Sequence, residues 1–223
     1  MNLYTQCLNL CFLLVSLNPA IAMQAIFGQK EDGHGFKLLT FLKAVSTYYS
    51  LMLVSIALIS PKLFSSLSFF RVSDLGLALA LIPLVLGVEI LFSHLLRCQQ
   101  KGSWLPLEIT FVGTTKGLKE LCYPLAIAFF EELTYRLIWF TILMEGFKLP
   151  ALLVLIISSF CYAWNHLLMG KAIFYAKLLT GLMYGTLYIV SQSIWLVIII
   201  HVGGNLLVES LSRWQLKEKK VMK

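Results

Sequence analysis

The sequence predicts an all-α protein, a polytopic transmembrane helical bundle of about seven spans with one further interfacial segment. Two features of composition and one of organisation predict it. Of 223 residues, 59% are hydrophobic and 13% charged, against about 25% charged in a soluble domain. Apolar segments of about 20 residues, enough to cross a bilayer as a helix, recur along the chain. No Ser/Pro/Gly-rich linker, low-complexity tract or fixed-period repeat divides residues 1–223, so a single integral-membrane domain is expected.

The candidate spans are approximately 3–27, 38–60, 73–96, 121–143, 150–169, 173–191 and 194–211. The first contains "NPAIAM", in which Ala20 and Ala22 form an A-x-A pattern like that of a signal-peptidase site. No Lys or Arg precedes it, and its removal would leave 28–37 outside and turn every later loop over, so it is retained as a span. The stretch 102–120, "GSWLPLEITFVGTTKGLKE", is too polar to span. Its Trp104, Leu105, Leu107, Ile109 and Phe111 suit the membrane interface, where an eighth, short helix is expected.

The net charge is +7, but the basic residues lie in short segments between apolar runs and in the tail "RWQLKEKKVMK". There they meet anionic lipid headgroups, which makes the bilayer the expected partner and excludes nucleic acid. With that tail in the cytoplasm, 14 Lys and Arg fall inside and three (Lys62, Arg71, Lys148) outside, with Arg136 within a span. The positive-inside rule then sets an outside N-terminus and a cytoplasmic C-terminus in the plasma, or inner, membrane. Nothing in the composition sets an oligomeric state. The cysteines (Cys7, Cys11, Cys98, Cys122, Cys161) are odd in number and contain no CxxC pair, which suits packing residues better than a disulfide frame or zinc site.

The chemistry concentrates where ionisable groups enter the apolar runs. "FFEELTYR" puts Glu131, Glu132 and Arg136 near the centre of 121–143. Each would cost at least about 2.5–3.5 kcal/mol in hydrocarbon, so each is expected to face the bundle interior with a partner. Glu132 and Arg136 stand at i and i+4 with the glutamate first, the favourable order for an ion pair. Glu131 is turned about 100° away and is left over as a candidate base. "SSFCYAWNHLLMG" supplies Asn165 and His166, with Tyr162 one turn before the histidine. "IIIHVGGNLLVE" supplies His201 and Asn205 at i and i+4, with Gly203 and Gly204 offering a thin surface for close helix approach. A base, a second proton carrier and two hydrogen-bond donors are what hydrolysis by an activated water needs. The bland readings are a buried ion pair that fixes packing and satisfied interior histidines. Glu89 and His94 in "VEILFSHLLR" are read as structural or interfacial, Gly181 and Gly185 as a packing GxxxG within the bundle, and His34 in "EDGHG" as solvated.

"EELTYR", "YAWNH" and "HVGGN", in this order on successive spans, resemble the EExxxR, FxxxH and HxxxN/D motifs of the CPBP family of intramembrane proteases. That family includes CAAX prenyl endopeptidases related to Rce1 and bacterial Abi proteins linked to bacteriocin immunity. The resemblance covers about residues 121–210, and Tyr162 departs from the usual Phe by a hydroxyl. It implies that Glu131 and His166 activate the attacking water, that His201 and Asn205 stabilise the oxyanion, and that Glu132, Arg136 and Tyr162 give structural support. It also implies a membrane-associated peptide or protein substrate, with CAAX-type processing as one form. The family is often labelled as metalloprotease, and Glu131, His166 and His201 are acceptable zinc ligands. There is no HExxH pair, and the glutamate-dependent mechanism uses the same residues, so no metal is expected to be required. The alternatives are a non-enzymatic immunity or scaffold protein and a small proton-linked transporter; no pair of broken helices or repeated halves favours the latter.

Overall fold

The computed structural model describes residues 2–28, 37–67, 69–107, 109 and 118–221, whose regular structure is helical, with no strand among them. Among the described residues eight α-helices follow in order: α1 Leu3–Val15, α2 Pro19–Phe27, α3 Leu38–Ile59, α4 Val72–Lys101, α5 Leu118–Glu132, α6 Ala151–Trp164, α7 Lys171–Ser191 and α8 Ile194–Val221. The backbone of α5 stays helical through two widened π stretches, Leu133–Ile138 and Thr141–Gly146. Local chemistry sets several ends. Asn18 accepts a hydrogen bond from the Ile21 N–H, and Pro19 fills the first position of α2, where a missing N–H costs nothing. Gly102, at φ 66°, closes α4 in the left-handed conformation that suits glycine.

α5 lies at the centre. It packs against α3 and α8, and its first π stretch reaches α6, α7 and α8, while α6 pairs with α7 and α4 with α8. Tyr135, Leu137, Ile138, Trp139 and Phe140 are consequently buried. The two glycines read as a packing motif face α6. A Cβ on Gly181 would lie 3.1 Å from Ser159 Cβ and 3.2 Å from its Cα, and one on Gly185 would strike Leu155 Cδ1. Of the pair in α8, only Gly203 fits the expectation of close approach, against Ile82 of α4; nothing lies within 4 Å of a Cβ on Gly204.

The protein is an integral membrane protein by its apolar helices, but the expected count of seven spans is not reproduced. Among the described residues four helices are long and apolar enough to cross a bilayer: Leu38–Ile59, Val72–Lys101, Lys171–Ser191 and Ile194–Gln215. A fifth results if α1 and α2, which meet at 50°, form one bent span. The capped break at Ser16–Asn18 divides the first expected span, the π stretches interrupt the regular helix of 121–143, and α6 has only 14 residues because the chain leaves the helix after Trp164.

In the expected interfacial segment, 104–107 are not helical. Trp104 and Leu107 are exposed, and the chain is tied back by Leu105 N–H to Cys98 Sγ and Ile109 N–H to Gln215 Oε1. Phe111 and the loop with His34 lie outside the described residues. All five cysteines are free thiols.

Candidate active site

Glu131 and Glu132 end the regular part of α5, and Arg136 follows in the π stretch. Arg136 Nε and Nη1 lie 3.3 Å from Glu132 Oε2 and Oε1, and neither residue has measurable exposure. The guanidinium carbon stands 4.5 Å from the Tyr162 ring centre and 5.5 Å from that of Tyr184, while Nη2 donates to the Gly181 carbonyl at 3.2 Å. One buried cation thus braces α5 against α6 and α7, with its charge met by a carboxylate, a carbonyl and two ring faces.

Glu132 has a second partner that i,i+4 spacing did not reveal. From α8, His201 brings Nδ1 to 2.6 Å from Glu132 Oε1. A carboxylate oxygen accepts, so Nδ1 carries the proton and Nε2 is the bare nitrogen of the neutral ring. That Nε2 lies 3.9 Å from Glu131 Oε2. His166, in the turn just after α6, sits 3.1 Å by its Nδ1 from the Tyr162 carbonyl, which also only accepts. Its Nε2 lies 4.0 Å from Glu131 Oε1. Both imidazoles are therefore oriented from behind, and each turns a lone pair toward one oxygen of Glu131 across a gap too wide for a direct hydrogen bond.

Glu131, His166, His201 and Asn205 line a single cavity of about 70 Å³, together with Asn165 and Lys177. A water needs about 10–15 Å³ of such volume, so the space holds more than one. Asn205 Nδ2 donates to the Pro124 carbonyl at 3.4 Å. Asn165 accepts from the Ala20 N–H at 3.1 Å, donates to the Cys161 carbonyl and bonds the Tyr135 hydroxyl, so it fastens the start of α2 to the end of α6. The Tyr162 hydroxyl turns inward, 3.5 Å from His201 Nε2, and does not reach the membrane interface.

Lys177 and Glu89 were missed. Lys177, counted with the loop charges, is 2% exposed within α7, and its Nζ lies 2.6 Å from Glu89 Oε1 on α4. Lys177 lies near the start of a span, where a long side chain ordinarily snorkels to water, and Glu89 is 88 positions away. Only the assembled bundle pairs them.

Glu131 with the two Nε2 atoms has the donor chemistry of a zinc site, but the placement does not fit one. Zinc–nitrogen bonds of about 2.0–2.1 Å set tetrahedral donors about 3.4 Å apart, and the gaps are 3.9 and 4.0 Å. No group of three His, Cys, Asp or Glu among the described residues is set to hold a metal ion.

No curated protein and no solved structure matches the chain. A family model does, and the stretch it covers holds all three motifs and all six polar side chains of the cavity wall described above. Residues 118–207 match the family described as Type II CAAX prenyl endopeptidase Rce1-like, the protease family that the three motifs resemble.

Proposed function

We propose that the chain is an intramembrane endopeptidase that hydrolyses a peptide bond near the cytoplasmic side of the membrane. The observation that carries this reading is the convergence of Glu131, His166, His201 and Asn205, from three helical segments, on one water-sized cavity. Glu131 takes a proton from a water held between it and His166 Nε2, and the water oxygen attacks the substrate carbonyl carbon. His201 and Asn205 face the oxygen that becomes negative. His201 can donate from Nε2 only as the imidazolium, with Nδ1 on Glu132. The C–N bond then breaks, and Glu131 returns its proton to the departing amine, giving a carboxylic acid product and a free amine. Glu132, Arg136 and Tyr162 hold the histidine and the helices in place.

The family match supports a CAAX-type substrate, a membrane-associated chain cleaved near its C-terminus; the distribution of Lys and Arg supports a protein of the plasma membrane with its basic C-terminal tail in the cytoplasm. No metal is required on this reading, because every step uses these side chains alone; zinc held by Glu131, His166 and His201, which would have to draw closer together than they stand, is the alternative.

The test is cleavage of a prenylated CAAX peptide by the purified protein in detergent or vesicles. Glu131→Gln keeps size and hydrogen bonding but removes the base, and should leave the protein folded while lowering kcat by about 10²–10⁴-fold. Cleavage unchanged by this substitution sinks the mechanism, and loss on chelation with recovery on added zinc selects the metal alternative. Absence of cleavage by the native chain, with substrate-dependent uptake into vesicles, would select the transporter; absence of both would select the immunity or scaffold protein.

A further inference from the structure

The cavity is short of proton donors. In the neutral state, the one N–H of His201 points to Glu132 at 2.6 Å, so the ring presents a lone pair toward Glu131. One N–H of the Asn205 amide is directed to the Pro124 carbonyl. Arg136 does not line the cavity, and its guanidinium is engaged by Glu132 and Gly181. Yet the tetrahedral intermediate places a full negative charge in a space walled by Phe41, Leu42, Val45 and Ile127.

One further side chain on that wall has the required character. Lys177 enters from α7, is 2% exposed, and is held by Glu89 of α4 at 2.6 Å. A carboxylate at that distance gives the side chain the partner that a buried ionisable group needs in dry surroundings. An ammonium carries three N–H donors, so the bond to Glu89 does not exhaust it. Glu89 itself lines the neighbouring crevice with Asn205 and Tyr184, which puts the pair beside the position expected for the oxyanion. Glu89 behind Lys177 repeats the arrangement of Glu132 behind His201.

We propose that Lys177 is a further catalytic residue, an ammonium that donates a hydrogen bond to the oxyanion while Glu89 pairs with it and aims it. The proposal rests on the protease reading. As the water oxygen bonds to the carbonyl carbon, the water proton passes to Glu131 and the carbonyl π pair moves onto oxygen. Negative charge therefore leaves Glu131 and arrives on that oxygen. Lys177 meets it there without giving up its proton, and the charge returns to the carbonyl bond when the C–N bond breaks.

The test separates catalysis from packing. Lys177→Met keeps the length of the side chain but strands Glu89 in the interior, so low accumulation alone would say nothing about chemistry. The double variant Glu89→Gln/Lys177→Met removes both charges and should accumulate like the native chain. Its kcat on the prenylated CAAX peptide, per folded molecule, should still be about 10²–10³-fold lower with KM little changed, the size of effect seen when one oxyanion donor is lost. Lys177→Arg keeps the charge and the pairing but moves the donors, and should lower kcat about tenfold at unchanged KM. Native kcat in the double variant or in Lys177→Arg overturns the proposal and leaves Lys177 a packing charge. A native chain that cleaves nothing overturns the protease reading, and the role of Lys177 falls with it.

Discussion

Glu132 is the residue on which most of the site leans. It answers Arg136 along its own helix and His201 across to α8, so its one carboxylate faces two positive or proton-bearing partners. Glu132→Ala would leave the Arg136 guanidinium buried without its counter-charge, and Arg136→Ala would do the reverse. Loss of one partner of a buried pair costs about 3–5 kcal/mol, so both variants should accumulate poorly in membranes, as read by immunoblot of the membrane fraction; normal levels of both would refute the bracing role. The two also differ in chemistry. Glu132→Ala additionally frees His201 Nδ1, so whatever Glu132→Ala protein survives should have a lower kcat per molecule than surviving Arg136→Ala protein. The sequence showed half of this residue. Spacing of four along one helix gives the Arg136 contact, whereas the His201 contact joins positions 69 apart and exists only once α5 and α8 pack.

At the scale of elements, the glycines separate packing demand from mere occurrence. Gly181 presses on the backbone of Ser159, which cannot move aside as a flexible side-chain tip could, and its carbonyl receives Arg136. Gly181→Ala should therefore cost about 1–3 kcal/mol, the usual range for overpacking, seen as a lower melting temperature in detergent. Gly204→Ala, with nothing within 4 Å of the new carbon, should leave that temperature unchanged. Equal shifts for the two would show that α7 and α6 do not approach as described. GxxxG in α7 was legible as a contact because small residues one turn apart make a groove. The "GG" of α8 was only half legible, since adjacent residues lie about 100° apart on a helix and cannot both face one neighbour. The π stretches carried no such mark. No residue type in "LTYRLI" or "TILMEG" marks either of them.

For the whole molecule, the apolar composition made the membrane class plain, and the order of the three motifs made the site residues nameable. Their meeting point and its lysine were not readable, because both depend on which helices become neighbours. The bent amino-terminal helix pair shows this again. In sequence, residues 3–27 waver between span and leader; in the structure, the Ser16 and Leu17 carbonyls accept from the Tyr135 hydroxyl, Ser16 Oγ accepts from Trp139 Nε1, and Asn165 holds Ala20. Removing residues 2–22 should therefore abolish accumulation of the remaining bundle in membranes; full accumulation of such a chain, with peptidase activity, would show this segment to be dispensable. Ala20, at the start of α2, also forms part of the cavity wall with His201 and Asn205 of α8. The cavity is thus completed only when two segments far apart in the sequence come together. A chain whose α8 has not yet joined the bundle has Glu131 and His166 but no His201, so on the protease reading it cannot cut anything, its own unfinished neighbours included, until that helix docks.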